Sequence, residues 1–361
     1  MVKSSKNQYF VKQLLQWNRH FNKREMPWKG EKDPYKIWLS EIILQQTRVE
    51  QGLDYYHRFI TAFPGIHQLA KAPEERVFKL WEGLGYYTRC KNLIATAKNI
   101  SQNLDGKFPD TYNAILELKG IGPYTAAAIS SFAFNLPHAV VDGNVFRVLS
   151  RYYGVSTAID SVEGKKYFTI LANELLDKKQ PGEYNQALMD FGATVCKPKA
   201  PLCGECLLKK NCTAYLNNAV SKYPVKEKTI TKKTRWLYYI VAEYKGFVFV
   251  RKRGAKDIWE NLYEFILSEQ NEPADADNIL SQLLPVSNKS KQVYTIEHIS
   301  ALYKQQLTHQ TIYGQFIKIQ LTGSVRFAGY EKVTPGSLEL LPFPKFISNY
   351  LKDKSVSLNL F

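Results

Sequence analysis

The sequence predicts two domains of different class, an all-α domain over residues 1–220 and an α+β domain over 236–361, joined by a basic linker at 221–235. Three observations predict this. A chain of 361 residues, 45% of them hydrophobic, exceeds one ordinary core and can fill two. Through the first part apolar residues recur at helical spacing and no strand pattern repeats; after Arg235 the alternation shifts to period two.

Phe10, Leu14, Leu15, Trp17 and Phe21 mark an amphipathic opening helix over 9–24, which Met26-Pro27-Trp28-Lys29-Gly30 breaks. Asp33-Pro34-Tyr35 starts the next, 37–46, with Trp38, Leu39, Ile42 and Ile43 as its apolar stripe. Glu41 lies on the flank of that stripe. A glutamate there is ordinarily solvated; between Trp38 and Ile42, partial desolvation would raise its pKa and let it hold a proton near neutrality. Helical segments follow at 49–62, 66–70 and 74–82, then the hinge Gly83-Leu84-Gly85-Tyr86-Tyr87, whose rings serve either as core filler or as a wedge, then a helix over 88–102.

A helical run from Asp110 to Leu118 stops at Gly120-Ile121-Gly122, and Pro123 suits the first position of a new helix bearing Ala126, Ala127 and Ala128. Gly120 and Gly122, followed by a helix N-terminus, leave backbone N–H groups free for a phosphate. Asp142 follows an apolar pair and precedes Gly143, which suits the mouth of a pocket. The stretch therefore reads as a helix-hairpin-helix that grips a nucleic-acid backbone and presents a carboxylate. A plain tight turn between packed helices is the competing interpretation. A dinucleotide fingerprint is disfavoured, because no strand precedes the turn and Thr125 stands where a third glycine belongs. Helices at 144–153, 162–178 and 183–196 complete the all-α half.

The spacing Cys196-x6-Cys203-x2-Cys206-x5-Cys212, with lysines interspersed, points to a metal centre. Only one Cys-x2-Cys pair occurs, so zinc and a [4Fe–4S] cluster both remain open on spacing. Cys90 is expected as a buried thiol. In the last third, 237–244 and 246–250 form a hairpin; further strands are expected at 263–268, 293–299, 315–321 and 325–330, with helices at 275–283 and 343–352. Lys plus Arg exceed Asp plus Glu by 49 to 33, a net charge of +16 that fits a polyanionic partner. No 18-residue apolar run or signal h-region occurs, so a soluble, cytoplasmic, nucleoid-associated protein with no membrane partner is expected.

Together these motifs resemble adenine DNA glycosylases of the endonuclease III superfamily, which remove adenine mispaired with 8-oxoguanine. The resemblance is carried by Pro27-Trp28, the run from Trp38 through Leu44, Gln45 and Gln46 to Thr47, Gly83–Tyr87, the hairpin, Val141–Arg147, Asn185–Asp190 and the cysteine loop, in the family's order. It implies that Glu41 is the general acid that protonates adenine N7 and that Asp142 stabilises the oxocarbenium ion at C1′. Tyr124 and Asn144 would contact Asp142 or the sugar, and Gln186 the extruded base. Gln46 and Tyr86 would fill or wedge the duplex, with Trp28 and Leu44 among the DNA-contacting residues. The cysteines of 196–212 would hold [4Fe–4S]. Lyase members of the superfamily carry lysine at position 124, so Tyr124 implies base removal without a covalent amine intermediate.

The C-terminal domain resembles the family's Nudix-like 8-oxoguanine reader. Trp259–Phe265 matches its early strand, and Leu307-Thr308-His309 falls where Phe-Ser-His is common, so Thr308 and His309 would contact the lesion. Ser268 replaces the arginine of a working Nudix pyrophosphatase, and Lys29 replaces the arginine usual after Pro-Trp. The expected partner is double-stranded DNA containing adenine opposite 8-oxoguanine, bound by a monomer. The alternatives are a pyrimidine-lesion glycosylase/lyase of the same superfamily and a non-catalytic damaged-DNA-binding protein.

Overall fold

A computed structural model describes residues 4–228, 231–284 and 293–353. Its helices are α1 (Ser5–Phe21), α2 (Pro34–Leu44), α3 (Val49–Ala62), α4 (Ile66–Lys71), α5 (Glu74–Trp81), α6 (Tyr87–Asn103), α7 (Tyr112–Leu116), α8 (Pro123–Phe134), α9 (Gly143–Tyr153), α10 (Val162–Leu175), α11 (Pro181–Thr194) and α12 (Thr213–Leu216). The strands are β1 (Lys233–Tyr244), β2 (Phe247–Lys252), β3 (Tyr263–Glu264), β4 (Ile266–Gln270), β5 (Tyr294–Ile299), β6 (Tyr303–Gln306), β7 (Gln310–Leu321) and β8 (Glu331–Val333). Helix α13 (Ala276–Leu283) lies between β4 and β5, and α14 (Pro335–Leu338) and α15 (Lys345–Leu351) follow β8. Among the described residues no helix is long and apolar enough to cross a membrane.

The chain forms two compact units. One comprises 1–71 and 92–228; the other comprises 72–91 and 229–361, so the division falls within α6. The first unit is helical. Its core gathers Phe10, Leu14 and Trp17 of α1, Val148 and Tyr152 of α9, Phe168 and Leu175 of α10, and Tyr184, Leu188 and Phe191 of α11. Burying each such side chain contributes about 1.5–3 kcal/mol. The Ser4 hydroxyl accepts from Asn7 N–H and starts α1 earlier than periodicity suggests, while Phe21 at its end is exposed and not on the buried stripe. Helix α7 is shorter than its apolar pattern because the Thr111 hydroxyl caps it, accepting from Ala114 N–H. Helix α10 stops at Leu175, three residues before the expected end.

Helix α2 differs most from a one-sided stripe. Asp33 caps it and Pro34 opens it, but Tyr35 and every residue from Ile37 to Ile43 are buried, Ser40 and Glu41 included. A helix covered all round lies inside its domain, so Glu41 is not on a solvated flank. Gly192 allows a close approach of α11 to α9: a Cβ built there falls 2.6 Å from Asn144 Cβ and 3.0 Å from the Asn144 carbonyl oxygen.

The stretch expected as a linker is tethered at its start. Ile159 N–H donates to the Val225 carbonyl at 3.0 Å, and the Asp160 carboxylate accepts from Glu227 and Lys228 N–H, both at 3.0 Å. At its other end β1 already begins at Lys233.

The second unit holds a mixed sheet in the order β3-β2-β1-β7-β5, with β4 on β1, β6 on β7 and β8 on β2. The long central pair β1–β7 is parallel; the remaining pairs are antiparallel. Strands β1 and β2 form the expected hairpin through Lys245-Gly246, both left-handed (φ 50° and 77°), as a type I′ turn requires. Two expectations fail here. Residues 325–330 are not a strand: Tyr330 N–H turns back onto the Phe327 carbonyl, and Phe327 packs edge-on against Phe249. Of Trp259–Phe265 only Tyr263 and Glu264 are strand. Trp259 and Asn261 are left-handed (φ 64° and 67°) in a loop held by the Arg253 guanidinium, which meets Asp257 at 2.6 Å and the buried Glu264.

Gly192→Ala should press a methyl group onto the start of α9. Overpacking of this kind costs about 1–3 kcal/mol. Hydrogen exchange should show faster opening at α9 and α11 amides, with β1 and β7 unaffected.

Candidate active site

Helix α2 delivers Glu41 to the wall of a cavity of about 520 Å³ within the helical unit. The same cavity is lined by Trp28, Leu44, Gln46, Tyr124, Asp142, Asn144 and Gln186, so eight residues singled out from sequence meet in one place although they span 158 positions, from Trp28 to Gln186 (186 − 28). Phe146 and Met189 supply apolar surface, and Arg24 a cation at the rim.

The two carboxyl groups are held differently. Glu41 is 7% exposed, and burial pushes its carboxyl up to about 7; a hydrogen bond from Tyr124 opposes the rise and the negative charge of Asp142 adds to it. Asp142 caps α9. Its Oδ1 accepts from Val145 N–H at 2.8 Å and its Oδ2 from Asn144 Nδ2 at 2.6 Å. Burial raises the Asp142 pKa too, but these donors and the nearby Arg147 favour the anion. Desolvation, then Glu41 and Asp142, push the Tyr124 hydroxyl well above its ordinary range, so it stays a donor. Its oxygen also lies 3.7 Å from Met189 Sδ.

Arg147, not singled out from sequence, organises the Asp142 side. Its Nη2 donates to Asn144 Oδ1 and the Gly192 carbonyl, and its Nε to the Cys196 carbonyl, each at 2.7 Å. The available signal was its i+3 position from Asn144 on a helix. Lys29 has a definite place: its Nζ donates to the Arg24 carbonyl at 2.9 Å and to Asp190 at 3.1 Å.

The hairpin glycines Gly120 and Gly122 lie outside this cavity's lining. Gly120 is left-handed (φ 80°), and a Cβ there would fall 2.6 Å from Asn92 Cβ. Gly122 caps α8 without a side-chain hydrogen bond and has open space beside it. The first N–H groups of α8 are thus left without a capping side chain, an arrangement suited to an anion.

Tyr86, Thr308 and His309 belong to the second unit. They line a cavity of about 410 Å³ inside that unit, with Trp259, Glu260 and Lys91. The Tyr86 and Thr308 hydroxyls hydrogen-bond each other there.

Cys196, Cys203, Cys206 and Cys212 line a third, apolar cavity of about 30 Å³. Arg151 Nη1 donates to Cys196 Sγ at 3.4 Å, and Cys212 Sγ donates to the Arg151 carbonyl at 3.5 Å. Among the described residues no three His, Cys, Asp or Glu side chains already converge on one metal position. Four soft donors around one small space, with a guanidinium beside them, nevertheless suit a thiolate-ligated metal group.

Residues 39–173 match the model of the HhH-GPD superfamily base excision DNA repair proteins. The adenine DNA glycosylase of Buchnera aphidicola subsp. Baizongia pistaciae is 38% identical over 309 residues, 84% of each chain. That of Mus musculus is 40% identical over 215 residues, 57% of this chain and 42% of the mouse protein. The solved structure of a thermostable thymine-DNA glycosylase superposes with a TM-score of 0.55 at 31% identity, covering 59% of this chain and 97% of its own. The chain belongs to the HhH-GPD superfamily of base excision DNA repair proteins and, within it, to the adenine DNA glycosylases.

Proposed function

We propose that this enzyme hydrolyses the N-glycosidic bond of adenine mispaired with 8-oxoguanine in duplex DNA and leaves an abasic site. The observation that carries this reading is a pair of unlike carboxyl groups on one cavity: Glu41, poised to keep its proton near neutrality, and Asp142, held by donors as an anion.

Adenine expelled as an anion is a poor leaving group. Once the nucleotide is extruded, at a cost of about a few kcal/mol in lost stacking, Glu41 donates its proton to adenine N7. The C1′–N9 bond then breaks with its electron pair going to a neutral base. Asp142 stabilises the oxocarbenium ion at C1′, Tyr124 and Asn144 hold the two carboxyl groups in place, and water adds to C1′ while its proton returns to Glu41. Tyr124 has no amine, so no Schiff base forms and the strand is not cut through one. Gln186 contacts the base. Gln46 and Tyr86 fill or wedge the duplex, Trp28 and Leu44 line its approach, and Gly120 and Gly122 with the start of α8 grip the backbone. The second unit acts as a Nudix-like reader of 8-oxoguanine through Thr308 and His309; their sharing a cavity with Tyr86 supports this. No pyrophosphatase activity is expected of this unit, because Ser268 stands where the Nudix arginine belongs.

Cys196, Cys203, Cys206 and Cys212 would hold a [4Fe–4S] cluster, a structural and DNA-docking centre outside the chemistry. Cys206→Ser should abolish a broad visible absorption band and lower the iron content of the purified protein. Colourless wild-type protein containing one zinc ion would refute the cluster.

Glu41→Gln should lower adenine release from an adenine/8-oxoguanine duplex by roughly 10²–10⁴-fold while duplex binding persists. Equal loss of binding would point to a structural role. Release should also fall as pH rises through about 7, where Glu41 loses its proton.

The same burial has a stability consequence. The folded pKa of about 7 lies above the ordinary 4.5, so the contribution of Glu41 to stability is complete below the lower value and is lost as pH rises through the upper one. At about 1.4 kcal/mol per pH unit, Glu41→Gln should be more stable than wild type by up to about 3 kcal/mol at pH 8, with the gain vanishing near pH 4. Thermal melts across that range check the sign.

A further inference from the structure

We propose that Asp190 is a positioning residue that turns the Gln186 side-chain amide so that its carbonyl oxygen faces the bound base, selecting a purine with an amino group at C6 over one with a carbonyl there. This rests on the reading above, in which Gln186 contacts the extruded base.

Asp190 is fully buried, yet four donors converge on it. Asn22 Nδ2 and Lys29 Nζ reach Oδ2 at 2.9 and 3.1 Å; Arg24 Nη1 and Gln186 Nε2 reach Oδ1 at 2.9 and 3.0 Å. With a guanidinium and an ammonium in contact, Asp190 is a carboxylate and can only accept hydrogen bonds. This settles the orientation of the Gln186 amide, which a glutamine alone leaves ambiguous. Its NH₂ group must point at Asp190, so Oε1 is the end available to a ligand. Gln186 lines both the cavity that holds Asp142 and an adjoining one of about 240 Å³, and Glu41 and Trp28 line both as well. A base placed for protonation by Glu41 is therefore beside this amide.

The chemistry follows from the two edges. The C6 amino group of adenine donates to Oε1. The C6 carbonyl of hypoxanthine or guanine would set two acceptors against each other in a desolvated space, leaving both unpaired, the arrangement by which a site rejects a near-isosteric analogue most strongly. The orientation costs nothing at binding, because Asp190 has imposed it beforehand.

The test uses the full-length enzyme in single-turnover assays on three duplexes, with adenine, unsubstituted purine or hypoxanthine opposite the same 8-oxoguanine. Wild type should release adenine in strong preference to hypoxanthine. In Asp190→Asn the new amide can donate to Gln186 and reverse it, and the adenine-to-hypoxanthine ratio should narrow by at least tenfold. A merely structural Asp190 would slow all three bases alike and leave the ratio unchanged, which overturns the proposal. Should Asp190→Asn not fold, Gln186→Leu must narrow the same ratio, and an unchanged ratio is equally fatal. In the double variant Asp190→Asn should add no further change in ratio to Gln186→Leu. Wild type that releases no adenine would instead sink the underlying reading, and this inference with it.

Discussion

Burying a carboxyl group without a cation to match it is the constraint around which the helical unit is built. Glu41 sits on a helix covered on all sides, and the charges near it make ionisation harder: the Asp142 carboxylate repels, and only the Tyr124 hydroxyl relieves it. In water both groups would ionise at acidic pH. Here burial raises both, and the protein keeps them apart in acidity by surrounding Asp142 with hydrogen-bond donors and Arg147 while Glu41 has only the Tyr124 hydroxyl. The same fold that makes this chemistry available makes the folded state less stable above neutrality, a cost accepted at a working site.

Each carboxyl group is then fixed by a helix terminus or a packed helix and not by a loop. Asp142 gains its orientation as the cap of α9, whose approach to α11 requires a residue without a side chain at Gly192. Arg147 closes this arrangement from behind by binding Asn144 and the backbone carbonyls of Gly143, Gly192 and Cys196 at once. On the other wall, Asp190 gathers Asn22, Arg24, Lys29 and Gln186 from α11 and from the segment following α1. Short polar networks hold the cavity's rim in a way that apolar packing alone does not.

Much of the helical unit was legible because its signals are local. Caps, glycine turns and periodicity located most helices, and the neighbours Trp38 and Ile42 indicated the direction of the Glu41 shift. What local pattern did not show was enclosure. Glu41 reads as the flank of the α2 stripe because the elements that cover it come from elsewhere in the chain. Resemblance named Tyr86, Thr308 and His309 singly, but that two hydroxyls 222 positions apart share a hydrogen bond is a property of tertiary structure. The same limit explains the strand expected at 325–330: Phe327 alternates like a strand residue, yet its ring is claimed by Phe249 and the backbone turns. Asp190 was visible only as part of a motif, although its i+4 spacing from Gln186 on one helix pointed to a pairing.

The second unit is assembled from two pieces of chain, 72–91 and the C-terminal third, with most of the helical unit encoded between them. Its central parallel pair joins Lys233 to Gln310, a contact between residues far apart in sequence. Helices α8 to α11, by contrast, follow one another closely. Synthesis from the N-terminus therefore releases α5 long before the sheet that shares its unit exists, whereas the core around α9 can close as soon as its own helices have emerged. Contacts of long sequence separation form slowly, so the two halves must mature on different clocks: the half bearing the acid and the aspartate first, the half bearing Thr308 and His309 last.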